Sequence, residues 1–134
     1  MELSIMQALI LAAYYWFAQW YIFYSAINVF LGPLCTGLVC GIVLGDVPTA
    51  MKIAATIQPM FLAFTGAGGT VVWDETAATI GGCTITMISG LDISQSVTIA
   101  VPLSLLCAQL HTVRRIITVY TAQQSDKYAQ TCNT

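Results

Sequence analysis

Few side chains in this sequence have the chemistry to bind a ligand, and most of those interrupt apolar runs. Thr56 and Gln58 lie within one such run, and the carboxylate of Asp74 precedes another. Polar groups at membrane depth are expensive unless they face protein or water, so they are functional candidates. The amide of Gln58 offers two donors and two acceptor lone pairs, which suits a polar ligand that both donates and accepts.

Covalent and metal chemistry find little support in the residue pattern. The five cysteines are irregularly spaced, and no pair matches a zinc or redox signature. We interpret them as small buried hydrophobic side chains. His111, the sole histidine, lies beside Arg114 and Arg115 without an acidic partner nearby in sequence. We expect a helix-end or interface histidine there rather than a catalytic or phosphate-accepting one, and we expect no cofactor and no metal.

The composition places these residues in a membrane protein. The chain has 134 residues, of which 57% are hydrophobic and 7% are charged, whereas soluble domains carry about 25% charged residues. A net charge of −2 leaves no basic patch for nucleic acid. The N-terminus has Glu2 and no basic region before its apolar stretch, so we expect a retained membrane segment rather than a signal peptide.

The first apolar stretch, Leu3 to Leu31, is long enough for one spanning helix. Its dense aromatic segment between Tyr14 and Tyr24 is typical of an interfacial belt, and a platform that stacks on a ligand is the alternative. Gly32-Pro33 then ends the helix, because proline lacks an amide hydrogen and its ring clashes with the preceding turn.

Shorter apolar pieces follow this stretch. Leu34 to Leu44 is too short to span a membrane, and its glycines at 37 and 41 form a small-xxx-small face that allows close helix packing. It ends in a turn at Gly45 and Asp46, where we expect the aspartate to fix a loop or to meet a partner subunit.

The run from Thr49 to Phe64 is also short and is followed by the glycine-rich segment Thr65 to Thr70. Thr65, Gly68 and Gly69 form either an unwound stretch whose backbone reaches a ligand or a tight turn. Asp74 has two interpretations as well: it accepts a hydrogen bond from a ligand, or it caps the next helix in water.

The last part of the chain predicts helices over Thr76 to Leu91 and from Ser96 to Leu110 or beyond, before a polar tail. We assign residues 1–122 to a single membrane domain and 123–134 to the tail. The predicted fold is therefore an all-α, polytopic integral membrane protein with one long span followed by short, broken or re-entrant helices. Transporters build sites near the midplane of the bilayer from such half-length pieces.

Several motifs occur in a fixed order across residues 30 to 128. They are Gly32-Pro-Leu, Gly41-Ile-Val-Leu-Gly-Asp46-Val-Pro-Thr49, Ala55-Thr-Ile-Gln58, Gly66-Ala-Gly-Gly69 with Asp74-Glu75, Ile88-Ser-Gly-Leu-Asp92, Ala100-Val-Pro-Leu103 with Gln109 and Arg115, and Asp126-Lys127. This ordered set resembles the membrane subunit IIC of the mannose/fructose/sorbose/N-acetylgalactosamine class of bacterial phosphotransferase systems (PTS). The sequence departs from that family at Gly32, where an arginine is usual, and at Trp73, where proline or a small residue is common. Members of the family are longer, and this chain resembles their N-terminal half.

The resemblance implies that a hexose or amino sugar crosses the bacterial inner membrane through subunits IIC and IID and is phosphorylated as it leaves. Cytoplasmic subunits IIA and IIB carry the phosphate, so IIC is not itself an enzyme. Gln58 matches a position that is often Glu or Gln in the family, which implies a sugar-binding role that we extend to Thr56, Thr65 and Asp74. For Gln58 the alternative is a hydrogen bond between helices, and for Thr56 it is a hydrogen bond to its own helix.

Further implied partners are the lipid bilayer and other copies or subunits in a homo- or hetero-oligomer. Arg114 and Arg115 are expected to anchor the chain at the cytoplasmic face or to dock IIB. The alternative function is a truncated scaffold that assembles with IID or a second IIC chain without conducting sugar.

Overall fold

Five helices account for the secondary structure of the residues that the computed structural model describes, which are 3–19, 32–62 and 73–131. In chain order they are α1 (Ile5–Ala18), α2 (Pro33–Leu44), α3 (Val47–Leu62), α4 (Glu75–Ser89) and α5 (Ile93–Thr131). These ranges contain no strand, and the prediction of an all-helical chain is confirmed.

Two hairpins, α2–α3 and α4–α5, turn in the same way. The first helix of each ends at a glycine with positive φ, +84° at Gly45 and +63° at Gly90, a conformation that side chains with a Cβ rarely adopt. An aspartate then starts the second helix: Asp46 Oδ1 accepts the Thr49 N–H at 3.2 Å, and Asp92 Oδ1 accepts the Ile93 N–H at 2.8 Å. Each turn therefore ends one helix and begins the next within a few residues.

The carboxylate of Asp46 accepts from both donors of Thr49. Its pKa lies below the ordinary value because Thr49 donates to the carboxylate from both its hydroxyl and its backbone N–H. The turn that contains Gly45 and Asp46 lies at the end of α3 opposite Phe61, away from the polar cluster described below.

Close contacts between small residues hold α2 and α3 together, as the glycine spacing predicts. A Cβ on Gly37 would collide with the side chain of Ala54, and a Cβ on Gly41 would lie 2.7 Å from Val47 Cα. On α4, a Cβ on Gly82 would lie 2.9 Å from the Ile57 side chain. Helix α4 therefore packs between α3 and α5. The buried apolar core comprises Leu11, Cys40, Ala50, Ile53, Ile57, Phe61, Ala78, Cys83 and Ala100.

Among the described helices α5 is the longest, whereas the sequence predicts one long span at the N-terminus. Helix α1 ends at Ala18, and residues 20–31 of the predicted span lie outside the described ranges. Helix α5 continues through Gln123, where the polar tail was predicted to begin. No Gly or Pro follows Pro102 in this helix, and polar residues alone do not end a helix without such a breaker.

Among the described helices, α5 is long and apolar enough to cross a bilayer over 93–129, whereas α1 and α2 are apolar but shorter. With 39 residues, α5 is about 58 Å long, against a hydrocarbon core of about 30 Å. Large apolar side chains are exposed along α1 and α5, including Ile5, Leu9, Trp16, Leu106, Leu110 and Ile117. Such a surface is suited to lipid contact.

The close packing of α2 on α3 predicts the effect of a single added methyl group. Gly41→Ala should lower the free energy of unfolding by about 1–3 kcal/mol, because the Val47 backbone yields only if the two helices separate. Denaturant titration in detergent micelles, followed by circular dichroism, measures this change. The control is Ile42→Ala, at the neighbouring position that faces outward with 65% exposure. Equal stability of both variants and the wild type would contradict the packing described here.

Candidate functional site

Asp74 begins α4 and is buried, with its side chain only 5% exposed. Its backbone is extended, and Oδ1 accepts the Ala77 N–H at 2.9 Å, which is the usual bond of an N-terminal cap. The negative charge also suits the positive end of the helix dipole. The cap therefore lies inside the protein and not in water.

The second carboxylate oxygen of Asp74 accepts hydrogen bonds from two other helices. Tyr15 Oη lies 2.7 Å from Oδ2 and Gln19 Nε2 lies 3.3 Å from it, both contributed by the C-terminal end of α1. His111 Nε2 of α5 lies 3.0 Å from the same oxygen. Since an ionised carboxylate can only accept, all three groups donate to it.

Helix α5 binds both the backbone and the side chain of Asp74. Ser104 Oγ accepts the backbone N–H of Asp74 at 3.0 Å, while His111 binds the carboxylate. Ser104 and His111 are seven residues apart, two helical turns, so they lie on one face of α5. We call Tyr15, Gln19, Asp74, Ser104 and His111 the Asp74 cluster. It joins α1 to the α4–α5 hairpin, which is distant from it in sequence.

Burial sets the electrostatics of the cluster. A carboxylate removed from water is strongly destabilising unless hydrogen bonds or an opposite charge replace its solvation. Asp74 receives four donors, counting the cap, and the imidazole of His111 supplies a positive charge when it is protonated. The cluster can therefore hold the Asp74 anion among apolar side chains. Another neutral hydrogen-bond donor can also take the place of one that now binds the carboxylate.

The other sequence-predicted residues lie on or after α3. Gln58 is half-buried, and its side chain forms no hydrogen bond to the described part of the chain. It lies one turn before Phe61, whose ring packs edge-on against Trp73, the residue before Asp74, with ring centres 6.2 Å apart. The end of α3 that carries Gln58 is therefore next to the start of α4.

Thr56 is exposed, and its hydroxyl lies 2.8 Å from the carbonyl oxygens of both Lys52 and Ile53. This is the hydrogen bond to its own helix that the sequence left open as an alternative. Thr65, Gly68 and Gly69 lie outside the described residues.

A largely apolar, open groove of about 380 Å³ lies between α1 and the α4–α5 hairpin, beside Tyr15. Its lining includes Leu11, Ala12, Tyr15, Ile80, Thr84 and Leu103. The hydroxyl of Thr84 is buried without a hydrogen-bond partner among the described residues. The scarcity of polar groups makes this groove a poor site for a hydroxyl-rich ligand.

Metal binding finds no matching arrangement in the described ranges. No group of three His, Cys, Asp or Glu side chains there is placed to hold a metal ion.

Comparison with known families identifies the chain. The family described as "PTS system sorbose-specific iic component" matches residues 5–134. The chain belongs to this family. No curated protein and no solved structure matches it. IIC components are membrane transport subunits of sugar phosphotransferase systems, distinct from the subunits that transfer phosphate, so this IIC chain is a membrane component of such a system.

The sequence alone did not predict the contacts that form the Asp74 cluster of this IIC chain. His111 has an acidic partner after all, but that partner is 37 residues away in sequence. Tyr15 was assigned to an aromatic belt, although its spacing of four from Gln19 places both on one helix face. The same-face spacing of Ser104 and His111 on α5 is the other signal that was available.

Because several donors share the Asp74 carboxylate, its removal should cause a large loss of stability. Asp74→Ala should lower the free energy of unfolding of the IIC chain by about 3 kcal/mol, because buried donors on α1 and α5 lose their partner together. Asp92→Ala is the matched control, since Asp92 is also a capping aspartate but is exposed, and it should cost only about 1 kcal/mol. Denaturant titration in micelles compares the two. Equal losses would mean that Asp74 acts as a cap alone.

A double-mutant cycle isolates the contact between α4 and α5. Asp74→Ala combined with His111→Leu should be less destabilising than the sum of the single variants, with a coupling free energy on the order of 1–3 kcal/mol. The same unfolding titration measures it. Additive effects would show that the pair at 3.0 Å contributes no coupling.

Proposed function

We propose that the chain is the sugar-translocating IIC subunit of a mannose-class phosphotransferase system, which imports a hexose or amino sugar. The observation that carries this proposal is the family match over residues 5–134. A buried polar cluster in a chain that is 57% hydrophobic supports it further, because polar residues in membrane segments usually mark a substrate path.

The sugar site in this proposal combines Gln58 with Asp74, together with Thr56 and Thr65. A carboxylate accepts from sugar hydroxyls, and an amide both donates to them and accepts from them. The contact between Phe61 and Trp73 supports one site, because it brings the Gln58 end of α3 to the start of α4. Gly68 and Gly69, between these segments in sequence, are proposed to keep the intervening backbone close to the sugar.

The proposed chain performs no covalent step and needs no cofactor. Phosphate passes from IIA to IIB and then to the sugar at the cytoplasmic face, while IIC and IID form the membrane path. A histidine that accepts phosphate from another protein must be exposed at the surface of its own chain. His111 is instead paired with a buried carboxylate, which supports the assignment of phosphate transfer to IIA and IIB.

The proposed location is the bacterial inner membrane, with several crossings and assembly into an oligomer with IID. Helix α5 supports this location by its length and apolar surface. Arg114 and Arg115 follow its most apolar part, and the positive-inside rule favours the cytoplasm for them, where IIB would dock.

Sugar uptake tests the role of Gln58. Gln58→Ala should abolish uptake of labelled sugar by cells that express the whole system, because the sugar would lose an amide that both donates and accepts. Gln58→Glu should retain measurable uptake, since it keeps the acceptors. Gln95→Ala, an exposed glutamine at the start of α5, is the control and should transport normally. Normal uptake by Gln58→Ala at wild-type membrane levels would remove Gln58 from the site.

The scaffold alternative has a separate test. Deleting this chain while retaining IIA, IIB, IID and any second IIC chain should abolish uptake if the chain conducts sugar. Continued uptake at the normal rate would instead favour a scaffold that contributes packing to the complex.

A further inference from the structure

Helix α1 buries little apolar surface and is attached to the other helices by several hydrogen bonds. Leu11 is its one buried residue. Gln7 Nε2 donates to the Val43 carbonyl at 2.9 Å, Tyr14 Oη lies 3.4 Å from Thr36 Oγ1, and Tyr15 and Gln19 donate to Asp74. A helix held in this way can leave its place without exposing a large apolar core.

The packing beneath α1 contrasts with that of the α4–α5 hairpin. An open apolar groove of about 380 Å³ lies between α1 and the hairpin, so along this groove α1 lacks the close van der Waals contacts of a packed helix. Within the hairpin, a Cβ on Gly82 would lie 3.3 Å from Ala100 Cβ, and one on Gly81 would collide with Leu103. Helix α1 is therefore the loose element of the site, and the hairpin is the fixed one.

Asp74 shows the same asymmetry. Helices α4 and α5 hold it through the Ala77 N–H, Ser104 and His111, all of which belong to the tight hairpin. Only Tyr15 and Gln19 come from α1. If α1 moved away, Asp74 Oδ2 would keep His111 and present its vacated side where α1 had been.

We propose that Tyr15 and Gln19 are a latch that sugar displaces. Sugar hydroxyls donate to Asp74 Oδ2 in place of the phenol and the amide, and α1 separates from the hairpin. The exchange replaces one set of neutral donors with another, so the buried carboxylate is never left unpaired. Gln19, whose bond of 3.3 Å is the longest of the three, leaves first. The inference rests on the proposed function, because it needs sugar to reach Asp74.

The latch makes an unusual prediction for the affinity of the complex assembled with its IID, IIB and IIA partners. Tyr15→Phe removes the competing donor and keeps the ring, so the Kd for the transported sugar should fall roughly tenfold. Titration with sorbose, fructose, mannose and N-acetylgalactosamine, followed by calorimetry, measures it. Tyr120→Phe is the matched control, because its hydroxyl accepts from Gln124 on the exposed part of α5 and contacts neither α1 nor Asp74, and it should leave the Kd unchanged. Weaker or unchanged binding by Tyr15→Phe would overturn the latch.

Hydrogen exchange of the wild-type complex gives a second readout that requires no variant. Saturating sugar should accelerate amide exchange in residues 5–18 while leaving α4 protected, because α1 alone is released. Unchanged or slower exchange in α1 with sugar bound would overturn the latch and leave the proposed function intact. If none of the four sugars binds to the wild-type complex, the proposed function fails, and the latch fails with it.

Discussion

The burial of one carboxylate constrains the arrangement of three helices. Asp74 lies where water cannot solvate it, so the protein must supply donors for both of its oxygens. One comes from the backbone of α4, one from α5 and two from α1. These donors come from segments far apart in sequence, and their convergence sets the positions of α1 and α5 relative to the start of α4.

The two hairpins rest on a different kind of interaction. Glycines at 37, 41 and 82 allow backbones and side chains to approach more closely than a Cβ would permit. Gly45 and Gly90 end a helix in a left-handed conformation, and an aspartate starts the next one. The glycine contacts are independent of charge. They make each hairpin a closely packed frame, and the polar cluster attaches α1 to that frame.

Local chemistry made part of this architecture predictable. The turn at Gly45 and Asp46, the close packing of α2 and the capping alternative for Asp74 all depend on neighbours within a few residues, where sequence patterns are informative. Such patterns cannot identify a hydrogen-bond partner 37 residues away, which is why the sequence predicted no partner for His111. The polar tail that begins at Gln123 is helical as far as Thr131, since the residues after Tyr120 include no glycine or proline that would end α5.

Helix α5 extends far beyond the Asp74 cluster. His111 lies near its middle, and about 30 Å of helix separates this residue from Thr131. The intervening segment contains no glycine or proline, so it behaves as a single rod. Because His111 belongs to the closely packed α4–α5 hairpin, the rod fixes the position of its distal end relative to the buried carboxylate. A contact made at that end is thereby tied geometrically to the Asp74 cluster about 30 Å away.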